Sequence, residues 1–247
     1  KAAGLNFADV LMIAGKYQVQ TPPPFIPGNE ASGVVSAIGS KVTRFKVGDR
    51  IIGALRGGGF AEQAVVEQDL AVPLPEGLSF AQGAAYSVAY GTSYHALKHC
   101  AGLRPGDTVL DVGTGPGFPG LPIAIAEPNR QFTLLDSNNK KIQFVQHVAG
   151  LLGLDNVTAV KGRGEDYAPG HRFDTVIARA LASLPRLVGI AGHHVREGGV
   201  FVALKGRYPA EELEELPAPW SHEVTELDVP GLEKGSRHAV LLRRAGR

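Results

Sequence analysis

"GDTVLDVGTGPGFPG", Gly106 to Gly120, reads as a strand that runs into a glycine turn and then a helix. The turn satisfies two patterns at once. Gly115-Pro-Gly117-Phe-Pro-Gly120 fits the G-x-G-x-x-G of dinucleotide sites, and Gly113-Thr-Gly115-Pro-Gly117 fits the G-x-G-x-G of S-adenosylmethionine sites. Glycine spacing alone does not choose between these cofactors.

Downstream of the turn, strand and helix alternate. "LPIAIAE" predicts a helix stopped by Pro128, "FTLLD" a strand, and "SNNKKIQFVQHVAGLLG" an amphipathic helix. In that helix Ser137 is the expected cap, Ile142, Val145, Ala149 and Leu152 the core face, and Gly153 the stop. Strands "VTAV" and "FDTVIA", helix "LPRLVGIAGHHV", strand "GGVFVAL" and the pair "HEVTELDV" and "HAVLLRR" come next. This series predicts a mostly parallel sheet covered by helices on both faces and closed by an antiparallel edge. Upstream the grammar differs. "SGVVSAIGS", "GDRIIGAL" and "GGFAEQAVV" read as short strands of a small β-barrel, and "SFAQGAAYSVAYGTSYHALKHC" as small-residue helix.

Composition narrows the field. A chain of 247 residues with 44% apolar residues can bury one large core or two modest ones, and 32 glycines with 17 prolines suit turn-rich α/β and barrel folds. Net charge is +1, and basic and acidic residues balance from Asp111 onward, so a nucleic-acid partner must be met by a local patch. The single cysteine, Cys100, excludes an internal disulfide and a multi-cysteine zinc site. No apolar run approaches the ~20 residues of a membrane span. A cytoplasmic protein is expected. The chain opens on Lys1 with no charged-then-apolar leader, which predicts a fragment.

The chemistry of the turn separates the cofactors. A dinucleotide sets its pyrophosphate on the helix N-terminus, where a carboxylate at the mouth of the first strand repels it. S-adenosylmethionine presents an ammonium and a sulfonium instead, which a carboxylate attracts. Asp111 is expected at that mouth and favours S-adenosylmethionine, unless it merely caps the helix. Asp136, ending the second strand, suits ribose hydroxyls of either cofactor. Glu165 and Asp166 follow the third strand, where an adenine amino group needs an acceptor. Phe118 offers an apolar face, or belongs to the core. Arg179 after the fourth strand suits a carboxylate or phosphate, or a surface ion pair. His193 and His194 lie on a predicted helix and read as core or solvent residues, not metal ligands.

The second half resembles a known family. "DVGTGPGFPGLPIAI", "FTLLDSNNKKIQF", "GLDNVTAVKGRGEDY", "FDTVIARALASL", "GGVFVALKG" and "VPGLEKGSRHAVLLRR" are similar to the bacterial 16S ribosomal RNA guanine-N7 methyltransferases of the RsmG or GidB type. The resemblance implies a Rossmann-like class I methyltransferase sheet, S-adenosylmethionine as cofactor, and 16S ribosomal RNA or the small ribosomal subunit as partner. It implies cofactor contacts at Gly113, Phe118, Gly164, Glu165 and Arg179, with Lys205 serving cofactor or RNA; the glycine pattern of the turn and the acidic end of the second strand add Gly115, Gly117 and Asp136. Where the family has "SRVED", this chain has "GRGED", with Gly162 and Gly164. No catalytic acid or base is implied, because guanine N7 already exposes an in-plane lone pair.

The first half resembles another family. "AAGLNFADVLMIAGKY", "PFIPGNEASGVVSAIGSKVTRFKVGDRIIG" and "YSVAYGTSYHALKHCAGLRPGDTVL" are similar to the GroES-like domain of zinc-free medium-chain NADPH quinone oxidoreductases. Zinc-dependent relatives need a cysteine near Asn6 and a histidine at Asn29, so no catalytic metal is expected. Asn6 and Tyr17 are implied to line a substrate pocket. The expected organisation is therefore a chimera: residues 1–107 form a partial GroES-like β-barrel domain and residues 108–247 the methyltransferase domain, with the seam inside "GDTVLDV". Three functions stand as hypotheses: an RNA methyltransferase, an NADPH quinone reductase lacking its nicotinamide domain, and an inactive fusion of the two.

Overall fold

A computed structural model describes residues 1–17, 21–91, 104, 106–179, 181–227 and 237–244. Cys100 and most of the segment leading into the glycine turn lie outside the described residues. The chain divides into two compact units, the first formed mainly by Lys1–Thr92 and the second by Ser93–Leu227 with Ser236–Arg247.

The first unit is built on an antiparallel four-stranded sheet in the order β1-β2-β3-β4, formed by Ala2–Ala3, Glu30–Val34, Arg50–Ala54 and Ala71–Pro73. Among the described residues this sheet is open. The expected strand at "GGFAEQAVV" does not form: Gly58, Gly59 and Phe60 donate their amides to the carbonyls of Ile26, Gly28 and Pro27 instead. A loop satisfies that backbone, so its alternation never meets a ladder partner, and Val65 is left 95% exposed. The helical expectation after Ser79 is met in part. Helix α2, Phe80–Ala84, starts in a capping box between Ser79 and Gln82, then yields to a π-helical turn at Ser87–Gly91.

A second feature of this unit is a buried polar knot behind α1, Phe7–Ile13. Asp9 and Glu30 are almost fully buried. Asp9 accepts from Asn6 N, Gly28 N and Asn29 Nδ2, and Glu30 accepts from Asn6 Nδ2 and Val88 N. Both carboxylates are thereby satisfied by amide donors, as burial requires.

The second unit carries a seven-stranded sheet. Its strands are β5 (Thr108–Val112), β6 (Gln131–Asp136), β7 (Val157–Lys161), β8 (Phe173–Arg179), β9 (Val195–Lys205), β10 (Trp220–Glu226) and β11 (His238–Arg244). They lie in the order β10-β11-β9-β8-β5-β6-β7. The five strands from β9 to β7 run parallel, and β11 and β10 add antiparallel pairs at one edge, as the sequence pattern requires. The central strands are near-continuous apolar runs because both faces are covered: Leu110, Leu134, Val176, Ile177, Phe201 and Val202 have no exposed surface. Connections run one way from β5 to β6 and β7 and the other way to β8 and β9. Since parallel crossovers are right-handed, the two directions place helices on opposite faces.

Local residues set the helices. Helix α3, Gly120–Ala126, stops before Pro128, and Asn156 Nδ2 reaches back to the carbonyls of Ala124 and Glu127 at its end. Helix α4, Asn139–Leu152, is capped by Asn138, whose side chain accepts from Lys140 N and Lys141 N, so the cap is one residue beyond the expected Ser137. Gly153 ends it at φ 62, in the left-handed region open to glycine. Ile142 and Val145 face the core as expected, but Leu152, in the last turn, is 51% exposed. Helix α5, Leu184–Ala191, is shorter than "LPRLVGIAGHHV" suggests. A 3-10 turn at Gly192–His194 replaces its last turn, and Val195 already begins β9. A short helix α6, Ala210–Glu214, lies in a stretch for which the pattern of residues predicts no element.

Candidate functional site

The order of the sheet reverses beside β5, so a crevice opens beyond the carboxyl ends of β5 and β8. A cleft of about 370 Å³ lies there, within the range of small-molecule sites. Its walls include Gly113, Asp136, Gly164, Glu165 and Arg179, five of the residues expected from sequence. They also include Lys141, Arg163, Leu181, Arg186 and Ile190, which sequence reading did not single out.

The floor is the glycine turn. Gly113, Gly115 and Gly117 have φ of 71, 61 and 97, a run of left-handed conformations that side chains rarely adopt. Gly113 and Thr114 both donate to the Leu135 carbonyl, binding the turn to β6. A Cβ at Gly113 would stand 2.9 Å from Leu181 Cδ1, and one at Gly117 would stand 2.3 Å from Leu121 Cδ1. Of the expected turn residues only Gly113 lines the cleft; Gly115, Gly117 and Phe118 do not, the two glycines shaping the turn next to it. Phe118 is half-buried beside it, with the Arg179 guanidinium 5.8 Å from its ring centroid.

Two carboxylates organise this floor. Asp136 is 7% exposed at the tip of β6; its Oδ2 accepts from Gly115 N at 2.9 Å and its Oδ1 from Asn138 N at 2.8 Å, while Lys141 stands 3.7 Å away. Asp111 is not at the mouth of the strand, as the sequence suggested. It is fully buried beneath the turn and does not line the cleft. Its Oδ2 accepts from Thr114 Oγ1 at 2.7 Å and from Gly120 N at 2.9 Å, capping α3, and its Oδ1 meets no hydrogen-bond donor among the described residues. Burial raises its pKa to about 6 against the pull of those two donors and of the Arg179 charge, with Asp136 adding to the rise.

The far wall is the loop after β7. Gly164 is buried, and a Cβ there would lie 2.6 Å from Ile190 Cγ2, so only glycine lets this backbone close on α5. Glu165 and Asp166 are exposed, and only Glu165 lines the cleft. Behind the loop sits His194. It is 2% exposed, its Nε2 lies 2.9 Å from the Gly164 carbonyl, and Tyr167, Phe173 and His193 pack around it. It is a core histidine, as expected. Its tie to Gly164 spans 30 residues of sequence, a pairing that no local pattern reports.

Lys205 does not enter the cleft. Its Nζ donates to Ala182 O at 2.8 Å and pairs with Glu212 Oε2 at 2.7 Å, and that same oxygen takes the Leu184 amide at 2.6 Å. The lysine thus pins the β8–α5 loop to α6. In the first unit, Asn6 is committed to Asp9 and Glu30 as the N-cap of α1, and the Tyr17 amide donates to Leu11 O. Among the described residues no group of three or more His, Cys, Asp and Glu side chains could hold a metal. No helix there is long and apolar enough to cross a membrane.

A sheet ordered in this way, with its cleft at the reversal and an acidic residue at the tip of the second strand, defines a Rossmann-like fold. Coclaurine N-methyltransferase bound to N-methylheliamine and SAH shares that fold at a TM-score of 0.54 and 10% identity, over 69% of this chain and 73% of that one. The family model for rRNA small subunit methyltransferase G matches residues 93–240, and the chain belongs to that family. The Ribosomal RNA small subunit methyltransferase G of Idiomarina loihiensis is 49% identical over 140 residues, covering 56% of this chain and 68% of that protein. A separate model, the alcohol dehydrogenase GroES-like domain, matches residues 1–76. The quinone oxidoreductase from Thermus thermophilus, solved also in complex with NADPH, superposes with a TM-score of 0.62 at 31% identity, covering 81% of this chain and 61% of that chain. The chain therefore spans about three-fifths of that reductase's length. It is a chimera of the two families.

Proposed function

We propose that this chain is an S-adenosylmethionine-dependent methyltransferase acting on nitrogen 7 of a guanine in 16S ribosomal RNA, presented by the RNA or the small ribosomal subunit in the cytoplasm. One observation carries the choice of cofactor. The two amides a pyrophosphate would seek, Gly115 N in the turn and Gly120 N at the start of α3, are already taken by Asp136 and Asp111. A dinucleotide would bring two negative phosphates against two carboxylates and find no free cradle. A ligand with an ammonium and a sulfonium meets attraction from the same groups.

The residues present fit that ligand. Asp136 retains acceptor capacity for ribose hydroxyls, since a carboxylate offers about four lone-pair sites. Gly164 and Glu165 supply the wall for the adenine, and the buried Asp111 charge, felt through the turn, favours the cationic end. Arg179 above Phe118 suits the ligand's carboxylate or an RNA phosphate. S-adenosylmethionine supplies a sulfonium-bound methyl group that an in-plane N7 lone pair accepts with no proton moved. The chain's own task is then alignment, which needs no acid or base.

The seam between the two halves is proposed within residues 107–108. NADPH quinone reduction is the alternative, and it asks this turn to hold the phosphates it is poorly built to hold. Thermal shift and calorimetry with S-adenosylmethionine against NADPH test the proposal: stabilisation by the former and none by the latter is expected. Stabilisation by NADPH alone overturns it. Cofactor binding with no methyl transfer to unmodified small subunits favours the inactive fusion.

A further inference from the structure

His194 lies outside the cleft, yet it holds a backbone carbonyl of the cleft wall. A carbonyl can only accept, so the 2.9 Å contact requires the proton on Nε2. Three groups clamp Gly164: Ile190 and Val112, both with atoms 3.1 Å or less from where its Cβ would be, and the His194 ring. The ring cannot swing away, because Tyr167 and Phe173 pack at 5.6 and 6.4 Å between centroids.

A planar trans peptide points its N–H opposite to its C=O. With the Gly164 carbonyl turned to His194, the Glu165 N–H is turned away from it, and Glu165 lines the cleft. The neighbouring amides of Asp166 and Tyr167 both donate to the Arg163 carbonyl, whereas the Glu165 N–H donates to no described residue. We infer that His194 is a positioning residue for the cofactor: its bond to the Gly164 carbonyl fixes the 164–165 peptide so that the Glu165 N–H is presented as a donor to the ligand. This rests on the S-adenosylmethionine reading of the cleft. Without the imidazole donor, the 164–165 peptide is free to rotate and the Glu165 N–H loses its aim, although nothing in the cleft itself has been removed.

The test pairs two substitutions. His194→Phe keeps a ring and removes the donor; His194→Gln keeps a donor. His194→Phe is expected to raise the Kd and KM for S-adenosylmethionine about tenfold, the worth of one hydrogen bond, with kcat at saturating cofactor and KM for the ribosomal subunit unchanged. His194→Gln is expected to recover most of the loss. Wild-type affinity in His194→Phe, or equal weakening in both variants, overturns the inference while leaving the cofactor reading intact. If the wild-type protein binds no S-adenosylmethionine, the cofactor reading fails and takes the inference with it. Nitrogen-15 spectra of the unmutated protein add a check independent of any variant's folding: His194 must be the Nε2–H tautomer, and an Nδ1–H tautomer refutes the bond.

Discussion

Asp111 gives the sharpest quantitative expectation. Its carboxyl titrates at about 6 in the folded chain, against 3.8 when exposed. At 1.36 kcal/mol per unit, the ionised form costs the folded state about 3 kcal/mol. The sign comes from proton binding. Below 3.8 the group is protonated folded or unfolded and costs nothing; between 3.8 and 6 the folded chain holds the proton more tightly, so stability falls as pH rises; above 6 the full cost is present. Asp111→Asn keeps an acceptor for Gly120 N and Thr114 Oγ1 but cannot ionise. It places an amide where Oδ1 lacks a partner, a penalty of about 1–3 kcal/mol that does not vary with pH. The readout is therefore the slope. Urea unfolding of both proteins between about pH 4 and 7.5 should show the variant gaining about 2.4 kcal/mol on the wild type across that range, because at pH 4 part of the cost is already present. A difference that stays constant with pH refutes the buried, unpaired carboxylate. At about pH 6, calorimetry in buffers of different ionisation enthalpy should detect proton release on S-adenosylmethionine binding to the wild type and none in Asp111→Asn, since a cationic ligand drives the acid to ionise.

Three further outcomes are expected. Asp136→Ala removes the acceptor of Gly115 N and Asn138 N and should weaken S-adenosylmethionine binding by about 10- to 100-fold, the range of charged hydrogen bonds; unchanged affinity by calorimetry removes Asp136 from the site. Lys205→Met should cost about 1.5–3 kcal/mol in urea unfolding, and adding Glu212→Gln should cost less than the sum of the single changes, because both act on one cluster; strict additivity disproves the coupling. Burial lowers the His194 pKa below 6.5, so the stability it contributes is present above pH 6.5 and lost as pH falls through the folded value. Asp111 acts with the opposite sign in the same window. The acid-side loss should therefore emerge in Asp111→Asn and vanish when His194→Gln is added to it.

The sheet of the second unit was legible because its grammar is local. "FTLLD" and "FDTVIA" are apolar runs ended by a charge or a turn, and the glycine run marks a strand-to-helix turn whichever cofactor it serves. Asp111 was misplaced because every residue of β5 except Thr108 is buried, so no alternation told which way its side chain points. The cap of α4 shifted by one residue, because Asn138 accepts from Lys140 N and Lys141 N, and α5 ended four residues early, where a 3-10 turn leads into β9. "GGFAEQAVV" carried alternation without a partner strand, and pairing is a property of the whole sheet. Lys205 lies at the end of a β strand, where function is often found, but its partners sit on the β8–α5 loop and on α6. His194 and Gly164 are joined only by the fold.

Strand order at the edge of the sheet constrains how the chain can be made. β11 does not extend the sheet; it lies between β9 and β10, both of which precede it in the chain. Its residues Ala239 to Leu242 are buried in the centre of that edge. β10 has β11 as its one neighbour in the sheet, so it cannot be placed there before β11 has been made. The edge of this sheet is therefore set only once residues 238–244 are available to bridge β9 and β10. The four strands of the first unit meet their neighbours in order of synthesis and have no such wait.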